Sequence, residues 1–385
     1  MTSADSLRGR AALMVAHCAG LIDLVALPVW IGSLVAQFGF APRLAGALVT
    51  LFLAGAVVAS VLVAPRMNRL NARVVAVAGF ATAAVVFHVL ASQREFAAMA
   101  PLHALAGFAA GAALSVTHGT IGRAANPHRL FGIVGMAIGV FAVAFLATTP
   151  MLIVRHGGGV LFDVFSGVMV VGAVVALMAF PNTAPGHGSP SEGLGRGLSR
   201  AVWLGIVGVA SMALVQAMAF GFLERAGIDR GFSRGAVSAV LVALGIVNLF
   251  PAGLAAVMEK RWTPRSVMLA GAALQGVLVA VVMLASSFHV YAAFSPFIVA
   301  VMVFTHTFAF GFIARLDRSG RAVAATPAML MTGAAIGPVL GGALVQASGY
   351  ASLAAAAIAI DAFAVACFLA ASARAAHSST METAS

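Results

Sequence analysis

The sequence predicts an all-α polytopic membrane protein, built as two parallel six-helix bundles related by a pseudo-twofold axis normal to the membrane. Three observations predict it. Of 385 residues, 62% are hydrophobic and only 9% are charged, against roughly 25% charged in a soluble chain. The apolar residues gather in twelve long runs, and the basic residues between those runs favour one face. The charge deficit excludes an ordinary water-soluble enzyme, and the hydrophobicity excludes a disordered chain. The net charge of +11 sits in short arginine clusters between apolar runs, with no basic face interleaved with aromatics, so nucleic acid is not a partner.

A helix needs about 20 apolar residues to cross the hydrocarbon core. Runs of that kind fall at 11–37, 44–64, 74–92, 96–122, 130–153 and 159–181, then at 201–223, 235–257, 265–287, 290–314, 322–346 and 350–373. Span one follows Arg8 and Arg10 with no small-residue cleavage site behind it, so it reads as a retained helix and not a signal peptide. Spans three and four are parted only by Gln93-Arg94-Glu95, and spans nine and ten by the short stretch from Ser286 to Tyr291. The longest polar stretch, 182–199, is rich in Gly, Pro and Ser and follows the sixth span. It reads as a flexible cytoplasmic linker between an N-terminal bundle, 1–181, and a C-terminal bundle with a short cytoplasmic tail, 200–385. Cys18 and Cys367 both lie in apolar runs, so no disulfide framework is implied.

Orientation follows from counting. With both termini cytoplasmic, sixteen of the 22 Lys and Arg residues fall on the cytoplasmic side and six on the other, as the positive-inside rule requires. One Lys (Lys260) among so many Arg marks an arginine-biased coding sequence of bacterial type. The expected location is the bacterial cytoplasmic (inner) membrane.

The halves repeat. Sliding the chain by 192 residues aligns Arg8 with Arg200, Arg69 with Arg261, Arg73 with Arg265, Arg123 with Arg315 and Arg129 with Arg321. Gly79 and Gly119 fall on Gly271 and Gly311. Chance gives fewer than one such arginine pair. Because six is even, both halves share one orientation, which makes them parallel repeats.

Twelve spans in two parallel halves around a central linker resemble the major facilitator superfamily. The resemblance extends to the loop after span two, Ala64-Pro65-Arg66-Met67-Asn68-Arg69-Leu70-Asn71-Ala72-Arg73. It is similar to the family's Gly-x-x-x-Asp-Arg-x-Gly-Arg-Arg/Lys, with Arg69 and Arg73 matching and Asn68 in place of the acid. Its counterpart after span eight, Met258-Glu259-Lys260-Arg261-Trp262-Thr263-Pro264-Arg265, keeps an acid and the basic residues. The resemblance implies a gating role for Asn68, Arg69, Arg73, Glu259, Arg261 and Arg265, through bonds to a carboxylate or to helix C-terminal carbonyls of the facing half. Topology setting alone is the competing account of these arginines. In span eleven, Gly333-Ala334-Ala335-Ile336-Gly337-Pro338-Val339-Leu340-Gly341-Gly342 looks like the Gly-Pro-x-x-Gly-Gly run that drug/proton antiporters carry in helix five. It places the chain closest to the drug and metabolite proton antiporter branch. Gly333, Gly337, Pro338 and Gly341 are expected to pack helix against helix.

An ionisable side chain in a bilayer costs about 2.5–3.5 kcal/mol at a helix centre, so it persists where it meets water or a partner. The family arrangement implies that spans one, four, seven and ten line the central cavity. Asp23 lies midway along span one, and His306 in span ten stands between Thr305 and Thr307. His103 takes the position of the family's fixed cation in span four. These three are the expected proton-coupling groups. Expected substrate contacts are Trp30, His118, the helical stripe Met212, Gln216 and Phe220, and Phe310. Asp361, in the peripheral twelfth span, is left without a role.

Metal-ligand spacing and a phosphate-binding loop are both missing from the sequence, so no cofactor is expected and ATP does not drive the protein. The function expected is secondary active transport of a small organic solute by alternating access, as a proton-coupled exporter. The partners are lipid, solute and protons, and the family expectation is a monomer. Proton-coupled uptake is the alternative direction. A membrane-embedded enzyme and a lipid scramblase are the alternative classes, and the enzyme lacks a catalytic constellation.

Overall fold

A computed structural model describes residues 3–63, 66–67, 69–181, 198–259, 261–316 and 326–382. Among them no strand occurs, and twelve helical spans are long and apolar enough to cross a membrane. The first six are Leu7–Ala36, Pro42–Val63, Ala72–Ser92, Phe96–Gly122, Arg129–His156 and Gly159–Ala179. The second six are Arg200–Asp229, Arg234–Ala255, Pro264–Leu284, Phe288–Leu316, Met329–Ser348 and Tyr350–Ala375. Most of the linker expected at 182–199 lies outside the described residues. The chain divides into two compact units, Met1–Gly188 and Ser189–Ser385.

The repeat read from arginines is also written in the helix boundaries. Spans two and eight, and spans three and nine, are displaced by 192 residues at both ends. The residues that start helices repeat too. Ser6 accepts the Gly9 N–H and Ser199 the Val202 N–H, while Asn71 and Thr263 accept from Val74 and Ser266. Each supplies one of the bonds that a first helical turn lacks. Gly79 and Gly271 make matching contacts: a Cβ on Gly79 would press on Ala109 and Ala113 of span four, and one on Gly271 on Thr305 of span ten. Ala113 and Thr305 are again 192 residues apart.

Four spans are interrupted. Span one comprises helices Leu7–Gly20 and Ile22–Ala36, parted at Leu21, and span seven comprises Arg200–Gly221 and Leu223–Asp229, parted at Phe222. Span eight breaks before Pro251 and span ten around Pro296, where the missing proline N–H and the restricted preceding residue end a helix.

In the N-terminal unit, spans two and four lie backbone to backbone. Gly107 faces the Phe52 backbone, Gly111 the Ala56 Cα, and Gly55 the Ala104 carbonyl and Phe108 N–H. Small residues permit this approach where apolar burial alone gives no drive between helices. Beside the seam, Trp30 is fully buried among Phe52, Phe87, Phe162 and Phe165, with ring centroids 4.8–6.4 Å away. In the C-terminal unit, Gly333 seats span eleven on the Ala210 carbonyl of span seven. Gly337 faces Leu214 and Met218, and Gly341 faces Met218 and Phe222.

Candidate functional site

Polar side chains inside the spans form separate groups in the two units. In the N-terminal unit the break at Leu21 sets the geometry. Gly20 lies against Leu114 of span four, whose side chain occupies the place a Cβ would take. Two residues past Leu21, Asp23 stands in the first turn of a new helix, half-buried. There its carboxyl stands at the positive end of the new helix's dipole. The sequence placed Asp23 midway along one continuous helix. The structure places it at an internal helix start.

On the other side of the break, His17 closes the last turn of the first helix. Its Nδ1 lies 3.0 Å from Nε2 of His118 in span four, and the ring centroids are 5.1 Å apart. His118 was expected at the substrate; His17 had no role. Phe131 of span five meets His118 edge-on at 5.7 Å. One turn earlier in span four, Ser115 donates to the Gly111 carbonyl and its oxygen lies 2.9 Å from the Ser60 hydroxyl of span two.

His103 belongs to the aromatic core. It is fully buried, stacks on Trp30 at 5.5 Å, and is bonded through Nδ1 to the Met99 carbonyl at 2.8 Å. A carbonyl only accepts, so Nδ1 carries the proton and Nε2 is the bare nitrogen. Nε2 and the Trp30 N–H both lack partners among the described residues.

In the C-terminal unit, Met212 is core. It packs with Val209, Met268, Met302 and Phe368, and its carbonyl accepts from Gln275 at 3.0 Å. Phe220 is also buried. Gln216 is half-buried and its amide has no hydrogen-bond partner among the described residues. His306 is half-buried beside Phe310 at 4.9 Å, and its Nδ1 has no hydrogen-bond partner among the described residues. Asp361 is 1% exposed against Gly276, with neither carboxyl oxygen bonded among the described residues.

The end of span seven holds a polar network that the sequence reading passed over. Arg225 pairs with Asp229 at 2.6 Å, Tyr350 donates to Asp229 at 2.7 Å, and Tyr291 donates to the Leu223 carbonyl. Arg230 donates to the Ala226 and Met283 carbonyls and lies over the Tyr350 ring. Burial pulls its guanidinium below the usual arginine value, while Tyr350, Tyr291 and Asp229 oppose that shift. Glu224 stands in the first turn after the break at Phe222, with one carboxyl oxygen buried and unpartnered among the described residues. The signal was present as four charges within seven residues, Glu224 to Arg230.

Of the loop residues, Arg73 donates to the Phe180 carbonyl at the end of span six, 3.1 Å away. That is a helix C-terminal carbonyl, as the chemistry suggested, but in its own half. Arg69, Glu259, Arg261 and Arg265 are exposed, and Asn68 lies outside the described residues. Among the described residues no His, Cys, Asp and Glu group has a metal-binding arrangement.

The fold is shared with solved transporters. A bacterial homologue of the human lysosomal transporter Spinster, inward-facing and occupied, superposes with a TM-score of 0.73 at 16% identity, covering 94% of this chain and 96% of that one. The nucleoside transporter NupG gives 0.69 at 15% identity, covering 95% and 98%. No curated protein matches in sequence. The sequence profile of the Major Facilitator Superfamily matches residues 12–316. With that match over most of its length and twelve membrane-length helices, the chain belongs to the Major Facilitator Superfamily and is a multi-pass membrane transporter.

Proposed function

We propose that the chain is a secondary active transporter that exports a small organic solute across the bacterial inner membrane by alternating access, in exchange for protons. The observation that carries this reading is the interruption of span one. Leu21 parts the helix inside a membrane-length run, and Asp23 sits two residues later at a new helix start. Discontinuous helices are where transporters of several folds place their substrate and ion sites, and a carboxyl maintained at that depth is a default proton carrier.

Gln216 and His306 are the groups we assign to the solute. Each is half-buried with hydrogen-bonding capacity left unmet, and Phe310 adds an aromatic face beside His306. Met212 and Phe220 are buried in the core of the same unit. The export direction rests on the Gly333–Gly342 run and its resemblance to the antiporter sequence. Both termini on the cytoplasmic side follow from the arginine count, and the proposed working unit is the monomer.

The test uses purified protein in proteoliposomes under an imposed pH gradient, with a panel of organic solutes that includes nucleosides. Solute movement opposite to protons supports the proposal. Movement in the same direction makes the protein a symporter, and failure of the gradient to drive any solute overturns proton coupling.

A further inference from the structure

His17 and His118 face each other through single ring nitrogens, Nδ1 and Nε2, at 3.0 Å. A neutral imidazole has one N–H and one bare nitrogen. Two bare nitrogens at that distance would set lone pair against lone pair, and two N–H groups would collide. One proton therefore lies between the rings. The outer nitrogens, His17 Nε2 and His118 Nδ1, are then complementary: when one is bare, the other carries a proton.

That arrangement has a defined protonation chemistry. A proton arriving at the bare outer nitrogen makes an imidazolium hydrogen-bonded to a neutral imidazole. If the central proton crosses to the other ring and the far outer nitrogen releases its own, the pair is neutral again with both tautomers reversed. One proton enters and one leaves, and nothing else is consumed. A second retained proton would place two cations with N–H groups head to head, so it requires the contact to part.

We propose that the His17–His118 pair is a one-proton binding and relay site within the N-terminal unit, joining span one to span four at the break in span one. The location supports the assignment. The Leu21 N–H that closes the first helix donates to the His17 carbonyl at 3.1 Å, so the pair is anchored to the interruption that also positions Asp23. His17 is buried and His118 half-buried.

Among charges near the pair, Arg123 caps span four five residues beyond His118, Arg10 lies seven residues before His17, and Asp5 accepts from the Ala125 N–H. Span five presents Phe131 to His118, and its Arg129 is exposed. His88 of span three and Asp163 of span six are engaged with each other at 3.2 Å. Arg73 of span three is committed to the Phe180 carbonyl. Arg155 and His156 lie at the far end of span five from Phe131, and Arg43 opens span two. On span one itself the nearest titratable neighbours in sequence are Cys18 and Asp23.

The pair's chemistry is independent of the solute, and only its use in coupling rests on the proton-coupled reading above. The test is nitrogen-15 NMR of histidine-labelled full-length protein in lipid nanodiscs, assigned by single substitution among the ten histidines. In the wild type, a through-hydrogen-bond coupling between His17 Nδ1 and His118 Nε2 is expected. Across about pH 4 to 9, where histidine ordinarily titrates, the two rings should take up one proton together, with the two-site behaviour of a coupled pair. In His17→Phe the His118 ring should titrate as an isolated histidine. Absence of the coupling in the wild type, no proton uptake by either ring, or a His118 titration unchanged by His17→Phe each overturns the proposal. If the pair titrates as stated while solute flux ignores the pH gradient, the proton-coupled reading fails and the pair stands.

Discussion

The Nδ1 of His17 and the Nε2 of His118, 101 residues apart in sequence, stand 3.0 Å apart and tie span one to span four. A part-buried hydrogen bond of this kind contributes about 0.5–1.5 kcal/mol. The substitutions His17→Phe and His118→Phe should each lower stability, and the double variant should lose less than their sum by about 1 kcal/mol. Denaturant titrations of the four proteins in one detergent measure that coupling. Strict additivity would mean the rings do not interact.

Glycines offer a paired prediction. A Cβ at Gly107 would run into the Phe52 backbone, whereas one at Gly132 meets nothing within 4 Å. Gly107→Ala must push spans two and four apart and should cost about 1–3 kcal/mol. Gly132→Ala, inside a helix with open space around it, should be neutral or stabilising by up to about 1 kcal/mol. Thermal unfolding compares them directly, and equal effects would refute the span two–span four seam.

Arg73 is expected to act on its own bundle. Its bond to the Phe180 carbonyl places a cation at a helix C-terminus, an interaction typically worth about 0.3–1 kcal/mol. Arg73→Gln should lower the unfolding temperature slightly, and rising salt should shrink the difference between the two proteins. A salt-independent difference would argue against a charge–dipole contact.

Asp361, on span twelve against Gly276 of span nine, has both oxygens unbonded among the described residues. An unpaired buried charge is strongly destabilising, so Asp361→Asn should fold as well as the wild type or better. Asp361→Lys should fail to accumulate as folded protein. Size-exclusion profiles of the two variants decide this, and aggregation of the Asn variant would show that the carboxyl itself is needed.

The spans were legible in the sequence because hydrocarbon demands a long apolar run whatever the tertiary structure. Their exact starts were not read, although Asn71, Ser199 and Thr263 bond the first turns they precede. Span seven was misjudged, since it continues to Asp229 past the expected end at 223. Its charges there are absorbed by Tyr350 and by carbonyls that sequence cannot locate. The breaks were hidden for a related reason. Leu21 and Phe222 are ordinary apolar residues, and each is preceded by a glycine in a chain that has 41 of them. The candidate site was legible as residue types in spans, not as partnerships. Trp30 and Met212 looked like pocket chemistry but fill cores. His17 looked incidental until span four brought His118 to it.

The central claim is that Asp23, at its internal helix start, couples solute movement to protons. The most direct measurement sets two assays on the same proteoliposomes: solute accumulation driven by a pH gradient, and counterflow exchange of solute with no gradient. In Asp23→Asn, gradient-driven accumulation should fall to background while counterflow continues. Accumulation at wild-type level in that variant would contradict the account.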